Sequence, residues 1–276
     1  MTNPISKVPV ASYGMLQKEV CTSTLDSAAE QIKNVGYAII DSGYSPSEIQ
    51  RFSKEFDRVR TRYVAAYGKD FLADINELQI IRALFTHSSP LFQKLVFNAN
   101  LLALTEKIIP GKFILNQQNG VTNPPQAEYS QGLWHRDLPY QHFVSSNALA
   151  INFLFCIDDF TVDNGGTFVL PATHKLEAFP SDSYVQRNAL QIVAPAGSFI
   201  AMDCMLFHSG GANKTQQERR AVNHVFNVPF FKQQINLPKI IEAAGLTDFE
   251  RSVLGFNFIE PQSVGDYLEN RAKKIA

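Results

Sequence analysis

The sequence lacks the features that mark several large classes of protein. It has no run of about 18 apolar residues to span a membrane, and its first residues lack the apolar stretch of a secretory signal. Its three cysteines, Cys21, Cys156 and Cys204, form neither a disulfide framework nor a CxxC zinc pair. Lys and Arg (25) balance Asp and Glu (26), which leaves no basic surplus for nucleic acid. We therefore expect a cytoplasmic protein that binds neither membranes nor nucleic acids.

The composition is that of a folded protein with a large core. Of the 276 residues, 45% are hydrophobic and 18% are charged, which is outside the disordered class. The 21 Phe and 9 Tyr suit a β-rich interior. Because the chain contains no internal repeat, low-complexity segment or obvious linker, we expect residues 1–276 to form a single domain.

The first part of the chain, residues 1–111, is predicted to be a mainly helical flank. One helix should begin at Thr24 and end before Gly36, and residues 37–41 (YAIID) should form a short strand. The run Ser45-Pro46-Ser47-Glu48 combines an N-cap, a first-turn proline and a capping glutamate, so a second helix should run to about Gly68. A further helical region should cover residues 90–109.

From Lys112 onwards the pattern becomes that of strands. Strand-like runs lie at 112–121, 146–158, 166–170, 190–194, 198–203 and 220–230, separated by turn signals such as Asp163-Asn164-Gly165-Gly166. Many short strands with such turns favour a jelly roll or β-sandwich. We expect a β core over 112–232 and a helical tail over 233–276, which gives an α+β, β-rich fold.

Two histidines lie in unusual surroundings. His135 and Asp137 are two residues apart, so on a strand they would share a face and could share one metal ion. Alone, this pair is better explained as a surface pair or a salt bridge, since many chains contain one by chance. His208 ends an apolar strand, and Arg219 opens the next one. If these two strands form a hairpin, Arg219 reaches the region of His208, where a guanidinium could bind a carboxylate.

These residues together favour a metal site over the alternatives, in which His208 caps a strand and Arg219 forms a surface ion pair. Two histidines and one carboxylate on one face of an octahedron are the signature of non-haem Fe(II) oxygenases. The three open positions of such a site accept an oxoacid cosubstrate and dioxygen.

The sequence resembles the phytanoyl-CoA dioxygenase family, whose members are Fe(II)- and 2-oxoglutarate-dependent oxygenases with a double-stranded β-helix (jelly-roll, cupin-like) core. The resemblance is carried by WHRDL (134–138), by DNGGTFVLPATHK (163–175), and by HSGGANK (208–214) followed by Arg219, eleven residues after His208. It extends from about Gly36 to the C-terminal region, which is most of the chain.

The resemblance implies that Fe(II) is bound by His135, Asp137 and His208. It also implies that Arg219 binds the distal carboxylate of 2-oxoglutarate and that Asn119 contacts this cosubstrate. With O2, such a site hydroxylates or otherwise oxidises a small organic molecule and releases succinate and CO2. The presence of Asp137 favours oxygenation over halogenation.

The sequence departs from the family pattern after the distal histidine. Position 210 is Gly where the family often has Ser, and Ser209 lies one residue earlier, so a hydroxyl contact to the cosubstrate is not expected.

Other residues are weaker candidates. Tyr140, Gln141 and His142 follow the metal motif and either contact the substrate or pack within the loop. We expect His174 to support its turn and His224 to be packed in the core.

Two other functions remain open from the residues alone. The first is a metal-dependent hydrolase or isomerase on the same barrel that does not use 2-oxoglutarate. The second is a binding or scaffold protein on a degenerate barrel. A carboxylate anchor at Arg219 argues against the first, and a complete set of metal ligands argues against the second.

Overall fold

The computed structural model describes residues 11–87, 90–127, 130–137 and 144–273. The α-helices of these residues are α1 (Thr24–Val35), α2 (Pro46–Tyr67), α3 (Lys69–Asp74), α4 (Pro90–Val96), α5 (Ala99–Ile108), α6 (Asp182–Asn188), α7 (Asp248–Val253) and α8 (Val264–Lys273). The strands are β1 (Tyr37–Asp41), β2 (Ile80–Ile81), β3 (Ile114–Asn123), β4 (Ala150–Cys156), β5 (Phe168–Val169), β6 (Leu190–Gln191), β7 (Ser198–Asp203), β8 (His208–Ser209) and β9 (Arg219–Asn227).

The first two helices begin and end where their local sequence predicts. Ser23 and Asp26 form a capping box at the start of α1, and Gly36 ends this helix with a φ of 91°. Ser45 and Glu48 form a second capping box at the start of α2. These signals involve residues no more than three positions apart, so they act before any tertiary contact forms.

The helical region predicted at 90–109 is interrupted. It is divided into α4 and α5, because the side-chain oxygen of Asn98 accepts hydrogen bonds from the backbone N–H groups of Asn100 and Leu101 and starts a new helix. Asn is among the strongest N-cap residues, which explains the break within an apolar run.

The strands form two antiparallel sheets, and the predicted jelly-roll core is confirmed. The larger sheet has the order β1-β7-β4-β9-β3-β2, and the smaller one has the order β6-β5-β8. Both edge strands of the larger sheet, β1 and β2, come from the first 111 residues, so this flank is part of the sheet as well as its helical cover. β2 and β8, of two residues each, fall outside the predicted strand runs.

The two faces of the larger sheet pack against different partners. The outer face carries Phe153, Phe155, Val222 and Phe226, which join one apolar core with the helices. Side chains of the inner face pack towards the smaller sheet in a second cluster that includes Ile200, Met202, Ala221, Phe160, Val169 and Ile192. The alternation of side chains along each strand produces this division.

Close backbone contacts hold the loop between β8 and β9 against the sheets. A Cβ at Gly165 would lie 2.3 Å from the carbonyl oxygen of Gly211, so only glycine permits this approach. The side-chain NH2 of Asn123, at the end of β3, donates to the same oxygen of Gly211 at 2.8 Å. The loop that separates His208 from Arg219 is therefore fixed at both sheets.

None of the helices in the described part of the chain combines the length and the apolar character needed to cross a membrane.

Candidate active site

The three predicted metal ligands are brought together by backbone pairing. The N–H of His135 donates to the carbonyl of His208 at 2.9 Å, and the N–H of His208 donates to the carbonyl of His135 at 3.1 Å. The N–H of Asp137 donates to the carbonyl of Cys204 at 3.1 Å. The sequence analysis considered His135 and Asp137 as residues of a strand, but this segment is not a regular strand. His135 forms only an isolated antiparallel bridge with His208.

The side chains of His135, Asp137 and His208 converge on one point. One ligand atom from each lies within 4.8 Å of the others. The Nε2 atom of His208 is 3.7 Å from Oδ1 of Asp137, and the two imidazole ring centroids are 4.3 Å apart. Nitrogen and carboxylate donors in this number and spacing fit a divalent transition metal with open coordination positions.

Hydrogen bonds to the backbone orient both imidazoles. Nδ1 of His135 lies 2.7 Å from the carbonyl oxygen of Leu133, and Nδ1 of His208 lies 3.0 Å from that of Leu206. Because a carbonyl oxygen only accepts, each Nδ1 carries the hydrogen, and each Nε2 keeps a lone pair for a metal. Burial, together with the neighbouring His208, lowers the pKa of His135, which favours the neutral form that binds metals.

Asn152 on β4 is a site residue that the sequence did not identify. Its side-chain NH2 donates to Oδ2 of Asp137 at 2.6 Å. In the sequence, Asn152 stands out only as a polar residue within the apolar run of a predicted core strand. That observation does not indicate which residue it bonds to.

Arg136, between the two ligands of the HxD segment, is the second residue that the sequence did not identify. Its guanidinium is buried and lies over the ring of Phe207, with the central carbon 3.8 Å from the ring centroid. It donates to the carbonyl oxygens of Met205 at 2.7 Å and Thr173 at 3.1 Å, and also to those of Glu177 and Leu176. Arg136 thereby ties the HxD segment to β7–β8 and to the turn that contains Thr173.

Arg219 lines the same pocket as the three candidate ligands. It is 3% exposed, and its guanidinium carbon lies 3.9 Å from the ring centroid of Phe160. The expected hairpin between the strands of His208 and Arg219 is wrong, because β8 belongs to the smaller sheet and β9 to the larger one. The two residues therefore meet across the pocket between the sheets and not at the mouth of a hairpin.

The remaining described walls of the pocket are uncharged. Apolar side chains come from Val121, Leu154, Met202 and Ala221. Polar contacts are offered by Gln131, Asn152, Thr167 and Asn223.

Asn119 is not brought together with these residues. Its Oδ1 accepts from the backbone N–H of Ala83 at 3.2 Å, and its Nδ2 donates to Oε1 of Gln234 at 3.0 Å. The residue of β3 that lies opposite Arg219 in the sheet is Asn123. A contact between Asn119 and a cosubstrate stays a prediction, and it would use the second N–H or the second acceptor site of the amide.

The other sequence candidates divide between the core and the part of the chain that is not described. Tyr140, Gln141 and His142 lie outside the described residues. His174 is buried with Nε2 3.2 Å from the carbonyl oxygen of Lys33, as expected of a residue that supports its turn. His224 is fully buried, which confirms it as a packed histidine.

The hydroxyl of Ser209 is turned away from the pocket. It donates to the carbonyl oxygen of Gly132 at 2.9 Å, and Gly210 is the neighbour that lines the pocket. Because residue 210 is glycine, this position offers only backbone atoms to the pocket beside the candidate ligands.

Comparison with known proteins places the chain in a family. Residues 32–221 match the family described as phytanoyl-CoA dioxygenase. An uncharacterised protein of Mycobacterium tuberculosis is 31% identical over 219 residues, covering 78% of this chain and 79% of the relative. The peroxisomal phytanoyl-CoA dioxygenase of Bos taurus is 25% identical over 219 residues, covering 68% of this chain and 64% of the relative.

The fold is shared with a solved structure. EctD from S. alaskensis, crystallised with 2-oxoglutarate and 5-hydroxyectoine, superposes with a TM-score of 0.62 at 20% sequence identity, covering 73% of this chain and 75% of that one. The jelly-roll fold, the His-Asp-His cluster and the family match over more than half of the chain therefore lead to the same assignment. The chain belongs to the phytanoyl-CoA dioxygenase family of non-haem iron, 2-oxoglutarate-dependent dioxygenases.

Proposed function

We propose that this protein hydroxylates, or otherwise oxidises, a small organic molecule, with conversion of 2-oxoglutarate to succinate and CO2. The observation that carries the proposal is the convergence of three metal-binding side chains on a pocket that also contains a buried arginine. In this proposal His135, Asp137 and His208 bind Fe(II), and Arg219 binds the cosubstrate.

The ligand assignment is supported by the protonation state that the backbone imposes. Both histidines donate from Nδ1 to carbonyl oxygens and present Nε2 to the pocket. Asp137 presents Oδ1 on the same side, 3.7 Å from Nε2 of His208. The site therefore needs no rotation of these rings and no loss of their backbone hydrogen bonds to bind a metal ion.

The cosubstrate assignment is supported by the surroundings of Arg219. A guanidinium can hold a carboxylate through two parallel hydrogen bonds, and such bonds are strongest where water is excluded. Stacking on Phe160 restricts the side chain to one plane, which prepares it for that geometry. The distal carboxylate of 2-oxoglutarate is the partner we assign to it.

When bound, iron with 2-oxoglutarate and dioxygen supplies the oxidising chemistry, and the protein supplies orientation and a dry surface. Val121, Leu154, Met202 and Ala221 form the apolar walls that limit water at the site. Substrate contacts at Tyr140, Gln141 and His142 stay a prediction of the same proposal.

An anaerobic titration tests the proposal. Fe(II) is added to the apoprotein, 2-oxoglutarate follows, and the visible metal-to-ligand charge-transfer band is recorded. We expect the band in the wild type and its loss in His208→Ala. In Arg219→Met the affinity for Fe(II) should be unchanged, but that for 2-oxoglutarate should fall about 30-fold or more, since losing one partner of a buried charge pair costs roughly 2 kcal/mol or more.

Arg220→Met is the matched control. The neighbouring Arg220 projects to the other side of β9, where it bonds to Asp158 and Asp57, so its loss should leave 2-oxoglutarate affinity unchanged. Metal binding without any charge-transfer band would overturn the oxygenase assignment in favour of a metal-dependent hydrolase or isomerase. Unchanged 2-oxoglutarate affinity in Arg219→Met would overturn the assignment of the anchor.

A further inference from the structure

Asn152 is a polar residue in apolar surroundings. It lies on β4 with its side chain on the inner face of the larger sheet and is 1% exposed. Its partners on the two adjoining strands are Met202 on β7 and Val225 on β9. A buried amide between apolar neighbours is unfavourable unless its hydrogen bonds are made, so its presence calls for a specific partner.

That partner is the carboxylate of Asp137. The 2.6 Å contact joins a side-chain nitrogen of Asn152 to Oδ2 of Asp137, and because an ionised carboxylate only accepts, Asn152 is the donor. The other carboxylate oxygen, Oδ1, faces Nε2 of His208 at 3.7 Å. Asn152 thus occupies one oxygen of Asp137 and leaves the second one directed at the candidate metal position.

The side-chain carbonyl oxygen of Asn152 makes no hydrogen bond that would stabilise the fold. It is buried, and no hydrogen-bond donor of the described residues lies within reach of it. An unpaired buried acceptor is costly, so an apolar residue of similar size would suit a purely structural position better. What Asn152 provides that an apolar residue cannot provide is its single hydrogen bond to Asp137.

We propose that Asn152 is a positioning residue of the metal site, which holds the carboxylate of Asp137 so that it binds the metal through Oδ1 alone. The proposal rests on the proposed function in that Asp137 is taken to be a metal ligand. Carboxylate ligands are themselves held by hydrogen bonds in metal sites, and loss of such a partner lowers metal affinity by about 10- to 100-fold.

Titration with Co(II), a spectroscopic substitute for Fe(II), tests the proposal in the absence of any substrate. In Asn152→Leu, an apolar residue of similar size, we expect Co(II) affinity to fall about 10- to 100-fold and the visible d–d bands to shift, because Asp137 is released to bind through both oxygens. The melting temperature of the apoprotein should stay close to that of the wild type. Asn152→Ser, with a hydroxyl too short to reach Asp137, is the second variant should the leucine be poorly accommodated.

The matched control is Asn227→Leu. Asn227 is a fully buried asparagine of β9 that donates to the backbone carbonyls of Val228 and Phe231, not to a candidate ligand. Its variant should keep the wild-type Co(II) affinity and spectrum even if it is less stable.

Folded Asn152 variants that bind Co(II) within about twofold of the wild type and with its spectrum would overturn the role of Asn152 alone. A wild type that binds no Co(II) would overturn the proposed function, and the role of Asn152 with it, so the two failures are distinguishable.

Discussion

The helix-packed face of the larger sheet and the pocket between the two sheets use the same residue types in opposite ways. On β9, Val222, His224 and Phe226 face the helices, whereas Arg219 and Ala221 face the pocket. Histidines occur on both sides, His224 on the helix-packed face and His135 and His208 in the pocket, so residue type alone does not distinguish a structural side chain from a functional one.

The hydrogen bonds distinguish them. On the outer face, both ring nitrogens of His224 are used within the protein, since Nδ1 lies 3.2 Å from the carbonyl of Phe153 and Nε2 lies 2.9 Å from the amide of Gln118. In the pocket, His135 and His208 use only Nδ1 in this way and present Nε2 to the space between them and Asp137. A candidate functional histidine is therefore one that has a ring nitrogen free of protein hydrogen bonds and directed at the pocket.

The largest expected effect comes from removing Arg136, the residue that holds the HxD segment in place. Arg136→Met deletes a guanidinium that donates to four backbone carbonyls. Urea unfolding should show a loss of about 3 kcal/mol in the free energy of unfolding, because buried carbonyls lose charge-assisted partners. Co(II) titration should show an affinity about 10- to 100-fold weaker, because His135 and Asp137 lose their support.

Arg58→Met serves as the control for this change, since Arg58 pairs with Glu55 on the exposed surface of α2. A variant of Arg136 that is less stable but binds Co(II) as the wild type does would mean that Arg136 only holds the turn at Thr173.

The next effect is similar in its size on stability, but it is confined to acidic pH and leaves metal binding unchanged; it is expected on the helix-packed face. Burial lowers the pKa of His224 from 6.5 to about 4. Between these values the unfolded chain binds the proton and the folded chain does not, so the stability contributed by neutral His224 is complete above pH 6.5 and is lost as the pH falls towards 4. The loss amounts to roughly 3 kcal/mol.

His224→Gln removes this titration. Urea unfolding of both proteins from about pH 7 to about pH 4 should show a shallower fall in stability for the variant. Parallel pH profiles would contradict the assignment of His224 as a histidine buried in its neutral form.

The smallest effect is expected at Ser209, beside the pocket but turned away from it. Ser209→Ala removes the hydrogen bond to the carbonyl of Gly132, so the free energy of unfolding should fall by about 1 kcal/mol. The affinity for 2-oxoglutarate, measured by the charge-transfer band, should not change. A weaker affinity would mean that this hydroxyl leaves Gly132 to bind the cosubstrate.

Local signals predicted much of the fold. The capping boxes at Ser23 and Ser45 and the glycine at position 36 set both ends of α1 and the start of α2, because their partners are within a few residues. A signal of the same kind at Asn98 was not recognised, so the break between α4 and α5 within the helical region was not predicted. Strand runs were recognised from their composition, and the two-residue strands β5 and β6 lie within such runs, but β2 was missed because its two isoleucines stand between Gln79 and Arg82.

The site was predictable where a short motif carried it. His135, Asp137, His208 and Arg219 were singled out from the sequence and line one pocket. The cosubstrate contact at Asn119 stays a prediction, and the structure adds that Asn123 is the residue of β3 paired with Arg219. Counting along one strand cannot supply such a register, since it depends on where the partner strand begins.

Arg136 and Asn152 show what lay beyond the sequence. Arg136 bonds to a carbonyl 69 residues away, and Asn152 bonds to a carboxylate 15 residues away. Neither spacing follows from helix or strand periodicity, so neither partner could be named before the sheets were assembled.

The sequence by itself determined the limits of the first helices, the strand-rich core, the metal-binding residue types and the order in which they occur. The tertiary structure alone decided that His208 and Arg219 meet between two sheets, which nitrogen of each histidine remains available, and which amide orients Asp137. Caps and strand patterns depend on residues close in the chain, whereas these decisions depend on the register between strands distant in sequence.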